Sequence, residues 1–174
     1  MTTTDDRDFP AALSALARVE FDYADGDGVD YEPYDAFHSA ERTTFWLRHW
    51  TGNHDLDGDD LRPFGQDGSG GYAAFWLARP DRPLADQPVV FFGSEGSLGV
   101  VAPDLDGFLW LLADGFGPME AVENPEWEGA GPNAEVARIA ERHARGPRQP
   151  AAAVLRRARE EFPGFVRTIE SLCR

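Results

Sequence analysis

Apolar residues recur along the chain with two different periods. Between Ser39 and Trp50, the residues Thr43, Trp46, Leu47 and Trp50 fall at i, i+3, i+4 and i+7, while Arg42, Arg48 and His49 lie off that stripe. This spacing predicts an amphipathic helix, capped by Ser39 and ended at Thr51-Gly52-Asn53. Pro10 followed by Ala11 to Val19 predicts a short helix before it. Past residue 60 the period shortens. Tyr72 to Ala78, Val89 to Phe92 and Leu98 to Val101 are short runs of β-branched, aromatic and apolar residues between Gly and Pro, and they predict strands. Gly93-Ser94-Glu95-Gly96-Ser97 has the length and glycine content of a hairpin loop, and Arg79 to Pro88 reads as a longer connection.

Leu105, Phe108, Leu109, Leu111 and Leu112 make the next helix apolar on most of its surface, so it is expected to be buried, with Asp104 as its cap and Gly115 as its stop. Residues 116–133, rich in Gly, Pro and Glu, are expected to be irregular. Ala134 to Arg145 predicts a further helix. Pro150 opens the last one, with a stripe at Ala151, Leu155, Ala158 and Phe162 that resumes beyond Pro163-Gly164 at Phe165, Val166, Ile169 and Leu172. Arg156, Arg157, Arg159 and Arg167 fall on its other side. The order of elements gives an α+β fold: a body over residues 1–133, and a helical extension over 134–174 packed on it.

Composition narrows the class. A length of 174 residues fits one domain with a sizeable core, and 42% apolar against 27% charged residues excludes a disordered chain. Cys173 is the single cysteine, so no internal disulfide forms, in keeping with a reducing compartment. The start, Met1-Thr2-Thr3-Thr4-Asp5-Asp6, is polar and acidic, unlike a secretory signal, and Phe108 to Ala113 is too short to span a bilayer. A cytoplasmic protein without membrane contact is expected. All basic residues are Arg, which, with the abundant Ala, Gly and Pro, points to a GC-rich bacterial coding sequence.

The net charge of −15 is uneven. Residues 1–135 hold 7 Arg against 27 Asp plus Glu, net −20; residues 136–174 hold 9 Arg against 4 Glu, net +5. A body this acidic repels phosphates, which argues against nucleic-acid binding, and it attracts basic partners.

Candidate chemistry is thin. Asp55-Leu56-Asp57-Gly58-Asp59-Asp60 has the alternating acids of a calcium loop, but Asp60 and Gln66 stand where that loop needs its Gly and its bidentate Glu. Asp25, Asp27 and Asp30 fail likewise at Val29. His54-Asp55, with His38 and His49, invites a metal-hydrolase reading, yet the pair follows a Gly-Asn turn and lacks the fixed orientation that ligands need. Glu95-Gly96-Ser97-Leu98-Gly99 misses a nucleophile elbow at its first position. Phe64 to Gly71 reads as a tight glycine-rich turn before a strand, without the helix N-terminus of a phosphate loop. No catalytic residue, metal ligand or cofactor is expected.

The segments Phe64-Gly65-Gln66-Asp67-Gly68-Ser69-Gly70-Gly71-Tyr72, Pro88 to Gly96, Gly99-Val100-Val101-Ala102 and Phe108 to Ala113 together resemble the SUKH superfamily, which includes the fungal cell-wall synthesis regulator family and many bacterial proteins. The likeness covers roughly residues 60–115, and the basic helical tail departs from it. It implies helices around a mixed, mostly antiparallel sheet and a non-enzymatic role. Bacterial members are commonly immunity proteins that block a cognate toxin, often a nuclease or deaminase. A basic toxin domain is then the expected partner. The expected contacts are Asp25, Asp27, Asp30, Tyr31, Tyr34 and Asp35 in one acidic segment, Asp55, Asp57, Asp59 and Asp60 in another, and Gln66. A regulatory scaffold of the same fold without a toxin is the alternative, and a metal-dependent hydrolase at His54 and Asp55 the remote one.

Overall fold

The computed structural model describes residues 7–174; the acidic stretch 1–6, read above as no secretory signal, lies outside the described residues. Among the described residues, five strands, β1 (Glu32–Pro33), β2 (Leu61–Gln66), β3 (Tyr72–Trp76), β4 (Val89–Phe92) and β5 (Leu98–Ala102), form one sheet in the order β1-β2-β3-β4-β5. Every neighbouring pair is antiparallel, so the α+β class holds and the sheet is an antiparallel meander with no parallel pair. The turns at 67–71 and 93–97 are too short for a crossover and return each strand beside the one before it.

Among the described residues, seven α-helices surround the sheet: α1 (Ala11–Leu16), α2 (Ala40–Thr51), α3 (Leu105–Ala113), α4 (Pro118–Glu123), α5 (Ala134–His143), α6 (Ala151–Glu161) and α7 (Phe165–Glu170). Alternate strand residues feed two cores. Phe64, Ala73, Phe75, Phe91 and Val101 face α1, α3 and α5, whereas Ala74, Val90, Phe92 and Val100 face Leu47 of α2 and Phe165 and Ile169 of α7. Burial on both faces explains why β3 and β4 read as apolar runs without alternation. Every residue of α3 is buried, as its all-round apolarity predicts. Asp104 caps it by accepting from the Gly107 N–H at 2.7 Å.

Three elements differ from the sequence expectation. Leu61 to Gln66 is a strand although it contains Pro63 and Gly65, which read as turn residues. The register shifts between these two, and buried Arg62 satisfies itself by donating to the carbonyls of Asp59 and Leu61. The two-residue β1 carries no strand pattern of its own and forms by pairing with β2. Inside the stretch expected to be irregular, Pro118 opens α4, and its Glu120 accepts from the Asp30 N–H at 2.7 Å.

The C-terminal helices share the body's cores through Val136, Ala140, Val154 and Leu155 on one side of the sheet and Ala158, Phe165 and Ile169 on the other. Their linker is fastened by acids of the body. Arg145 pairs with Asp86 at 2.6 Å and donates its backbone N–H to Asp106, while Arg148 pairs with Asp114 at 3.1 Å. Burial alone would raise the Asp86 carboxyl, but hydrogen bonds from Arg145 and Arg82 outweigh it and hold the group below its ordinary value. The basic tail therefore complements the acidic body at its linker arginines. Arg157 of α6 instead bonds within the tail, to Gln149 and Glu161.

Candidate functional site

The site begins with how α2 is seated. Ser39 Oγ accepts from the Arg42 N–H at 3.1 Å and starts the helix; Gly52, at φ 69°, ends it. Thr43 and Leu47 are buried beneath it. Trp46 and Trp50 pack edge-on against Phe92 at 5.0 and 5.2 Å, and the Trp50 indole N–H donates to the Gly93 carbonyl at 2.9 Å. With the stripe locked inward, the opposite side is fixed outward. Phe45 stands there 76% exposed, beside Glu41, Arg48, His49 and His54. Only Tyr23, at 50%, and Val166, at 38%, join it as exposed large apolar side chains among the described residues.

The acidic loop after α2 is pressed against the same helix. A Cβ on Gly58 would lie 2.7 Å from Thr43 Cγ2 and 2.9 Å from the Thr44 backbone nitrogen, so only glycine permits this approach. The Gly58 N–H donates to Thr44 Oγ1 at 3.0 Å, and Arg48 Nε donates to the Leu56 carbonyl at 2.6 Å. Asn53 Oδ1 accepts from the Asp55 N–H, and Asp57 Oδ1 from the Asp59 N–H. From beyond the loop, the Asn53 amide donates to the Leu172 carbonyl at 2.8 Å and the Arg174 N–H to the Thr51 carbonyl at 2.9 Å. The loop backbone is thus held from several sides while Asp55, Asp57, Asp59 and Asp60 are exposed, Asp55 at 86%.

The other acidic segment is arranged differently. Asp25, Asp27 and Asp35 are exposed, but Asp30 accepts from the Gly68 N–H at 2.8 Å. Tyr31 corrects the expectation of a partner contact: it is 5% exposed, its ring edge-on to Phe21 and Phe108, and it offers a partner no area. It lies across Gly65, where a Cβ would come within 2.4 Å of the ring. Burial pushes its phenol well above the ordinary value. Tyr34 and Gln66 do meet, but with each other. The Tyr34 hydroxyl donates to Gln66 Oε1 at 2.6 Å, and the Gln66 amide donates to Glu32 at 2.9 Å. Burial, followed by the neighbouring Tyr72, raises the Tyr34 phenol as well. Tyr34 stacks on His38 at 4.9 Å, and burial, reinforced by the Arg42 charge, pushes His38 down to about 4.

The two segments do not form one surface. Asp30 sits near Gly68, just past the C-terminal end of β2, and Asp60 at its N-terminal end. The strand between them spans about 16 Å at ~3.3 Å per residue. Phe45 lies outside the apolar stripe that marks α2 in the sequence. The available signal was an aromatic residue on the polar side of an amphipathic helix. Among the described residues, no group of three or more His, Cys, Asp or Glu is placed to hold a metal ion, and no helix is long and apolar enough to cross a membrane. Compared with protein-family models, curated proteins and solved structures, the chain matches none.

Proposed function

We propose that this chain is a non-enzymatic protein-binding module that receives a basic partner on the face formed by α2 and the acidic loop. The observation that carries the reading is Phe45, a phenyl ring 76% exposed on α2, the helix to which the acidic loop is bound through Thr44 and Arg48. Aromatic anchors with a charged surround are the usual energetic centres of protein interfaces. A carboxylate row held by its own backbone needs little ordering on binding and speeds encounter with a cationic surface. The SUKH likeness extends the proposal to the partner: a bacterial toxin of nuclease or deaminase type, whose basic phosphate-binding surface the acids would cover. Cytoplasmic residence belongs to the same proposal.

The test pairs the chain with the product of a toxin-like gene immediately upstream and measures affinity by calorimetry. Tight binding that Phe45→Ala weakens supports the reading. Binding that Phe45→Ala and an Asp55→Asn/Asp57→Asn/Asp59→Asn/Asp60→Asn variant both leave unchanged removes this face from it.

A further inference from the structure

Behind the acidic loop, between it and α7, lies a cleft of about 410 Å³. Its floor is apolar: Leu56, Leu61, Trp76, Ile169 and Leu172. Its rim carries three carboxylates, Asp55, Asp57 and Asp60. An apolar floor beneath a one-signed rim matches a side chain that is aliphatic along its stem and cationic at its tip. We infer that this cleft takes an arginine or lysine side chain of the protein partner, its stem on the floor and its charge among the aspartates. The inference rests on the binding reading above and adds what the partner must present beside the Phe45 contact.

The rim already draws a guanidinium. Nη2 of the chain's own Arg174 stands 4.0 Å from Asp55 Oδ2, with the Arg174 side chain 68% exposed and Asp55 86% exposed. Such an exposed pair is weak and gives way readily to a better-seated cation. The walls are less yielding. The loop wall is held by Gly58 and Arg48, and the Leu172 wall by Asn53. The cleft is therefore formed before a partner arrives, which lowers the ordering cost of filling it.

The experiment uses the full chain and small probes of arginine's parts. n-Butylguanidinium carries stem and charge, guanidinium the charge alone, and n-butanol the stem alone. Amide and indole chemical shifts are followed during each titration. Saturable binding of n-butylguanidinium is expected, centred on the Trp76 indole, Leu56 and Leu172. It should be roughly tenfold tighter than guanidinium alone, because burying about two methylene groups is worth one decade, and tighter than n-butanol, which brings no charge to the aspartates. Asp55→Asn/Asp57→Asn/Asp60→Asn should weaken it several-fold, and Phe45→Ala should leave it unchanged. Guanidinium binding as well as n-butylguanidinium, or shifts spread over the acidic surface without saturation at Trp76, would overturn the inference. Either result leaves the Phe45 reading standing, since that reading is tested with the protein partner. Partner binding that Phe45→Ala leaves unchanged, with the cleft still filling normally, would separate the two in the other direction.

Discussion

The segments 25–35 and 55–60 look alike in the sequence, each a cluster of aspartates near aromatic residues, yet the fold uses them in opposite ways. The first is partly spent on the structure itself. Asp30 holds the Gly68 turn, Tyr31 fills the core, and Tyr34 is tied to Gln66. The second keeps its side chains outward because α2, Arg48 and Gly58 already satisfy its backbone. Acidity alone does not mark a site. What distinguishes the second segment is that its backbone is bound to the helix that carries the exposed Phe45 and its carboxylates line an apolar cleft.

The sharpest way to break this comparison is at the two rings. Tyr31→Ala should cost about 3–5 kcal/mol of stability in urea unfolding, as for other buried aromatic truncations. Tyr31→Phe should be close to neutral, because the hydroxyl is buried without a hydrogen-bond partner among the described residues. Phe45→Ala should show the opposite pattern: stability within about 0.5 kcal/mol of the parent, but partner binding weaker by about 2 kcal/mol, some thirtyfold. A large stability loss in Phe45→Ala would mean that the ring belongs to the core and not to a site.

Acid sharpens the same contrast. The folded pKa of His38, about 4, lies below the ordinary 6.5, so the unfolded chain binds more protons between these values. Its contribution to stability is complete above pH 6.5 and is lost as pH falls towards 4. The parent should therefore lose more stability than His38→Phe between pH 7 and 4, the carboxylates being common to both. Equal losses in the two proteins would show that the histidine is not buried in its neutral form.

Much of the architecture was legible in the sequence where one local signal decided it. The α2 stripe, the all-apolar α3, the caps at Ser39 and Asp104 and the hairpin at 93–97 each rest on a period or a turn chemistry that no distant residue alters. β2 was not legible, because Pro63 and Gly65 carry turn signals that pairing with β1 and β3 overrides. The inward turn of Tyr31 is hidden in the sequence for a related reason: it depends on a glycine 34 positions further on, at residue 65. The cleft was out of reach altogether, since Leu56, Trp76 and Leu172 meet only when the C-terminal residues are drawn back to Asn53.

The most direct measurement compares two triple variants of equal charge, Asp55→Asn/Asp57→Asn/Asp59→Asn and Asp25→Asn/Asp27→Asn/Asp35→Asn, for their association rate with the partner at low salt. If the α2 face is the binding face, the first variant should slow association by roughly tenfold and the second by no more than about twofold, with both differences shrinking as salt is raised. Equal slowing by the two variants would reduce the acidity to a general field, and a larger effect of the second would move the site to the other end of β2.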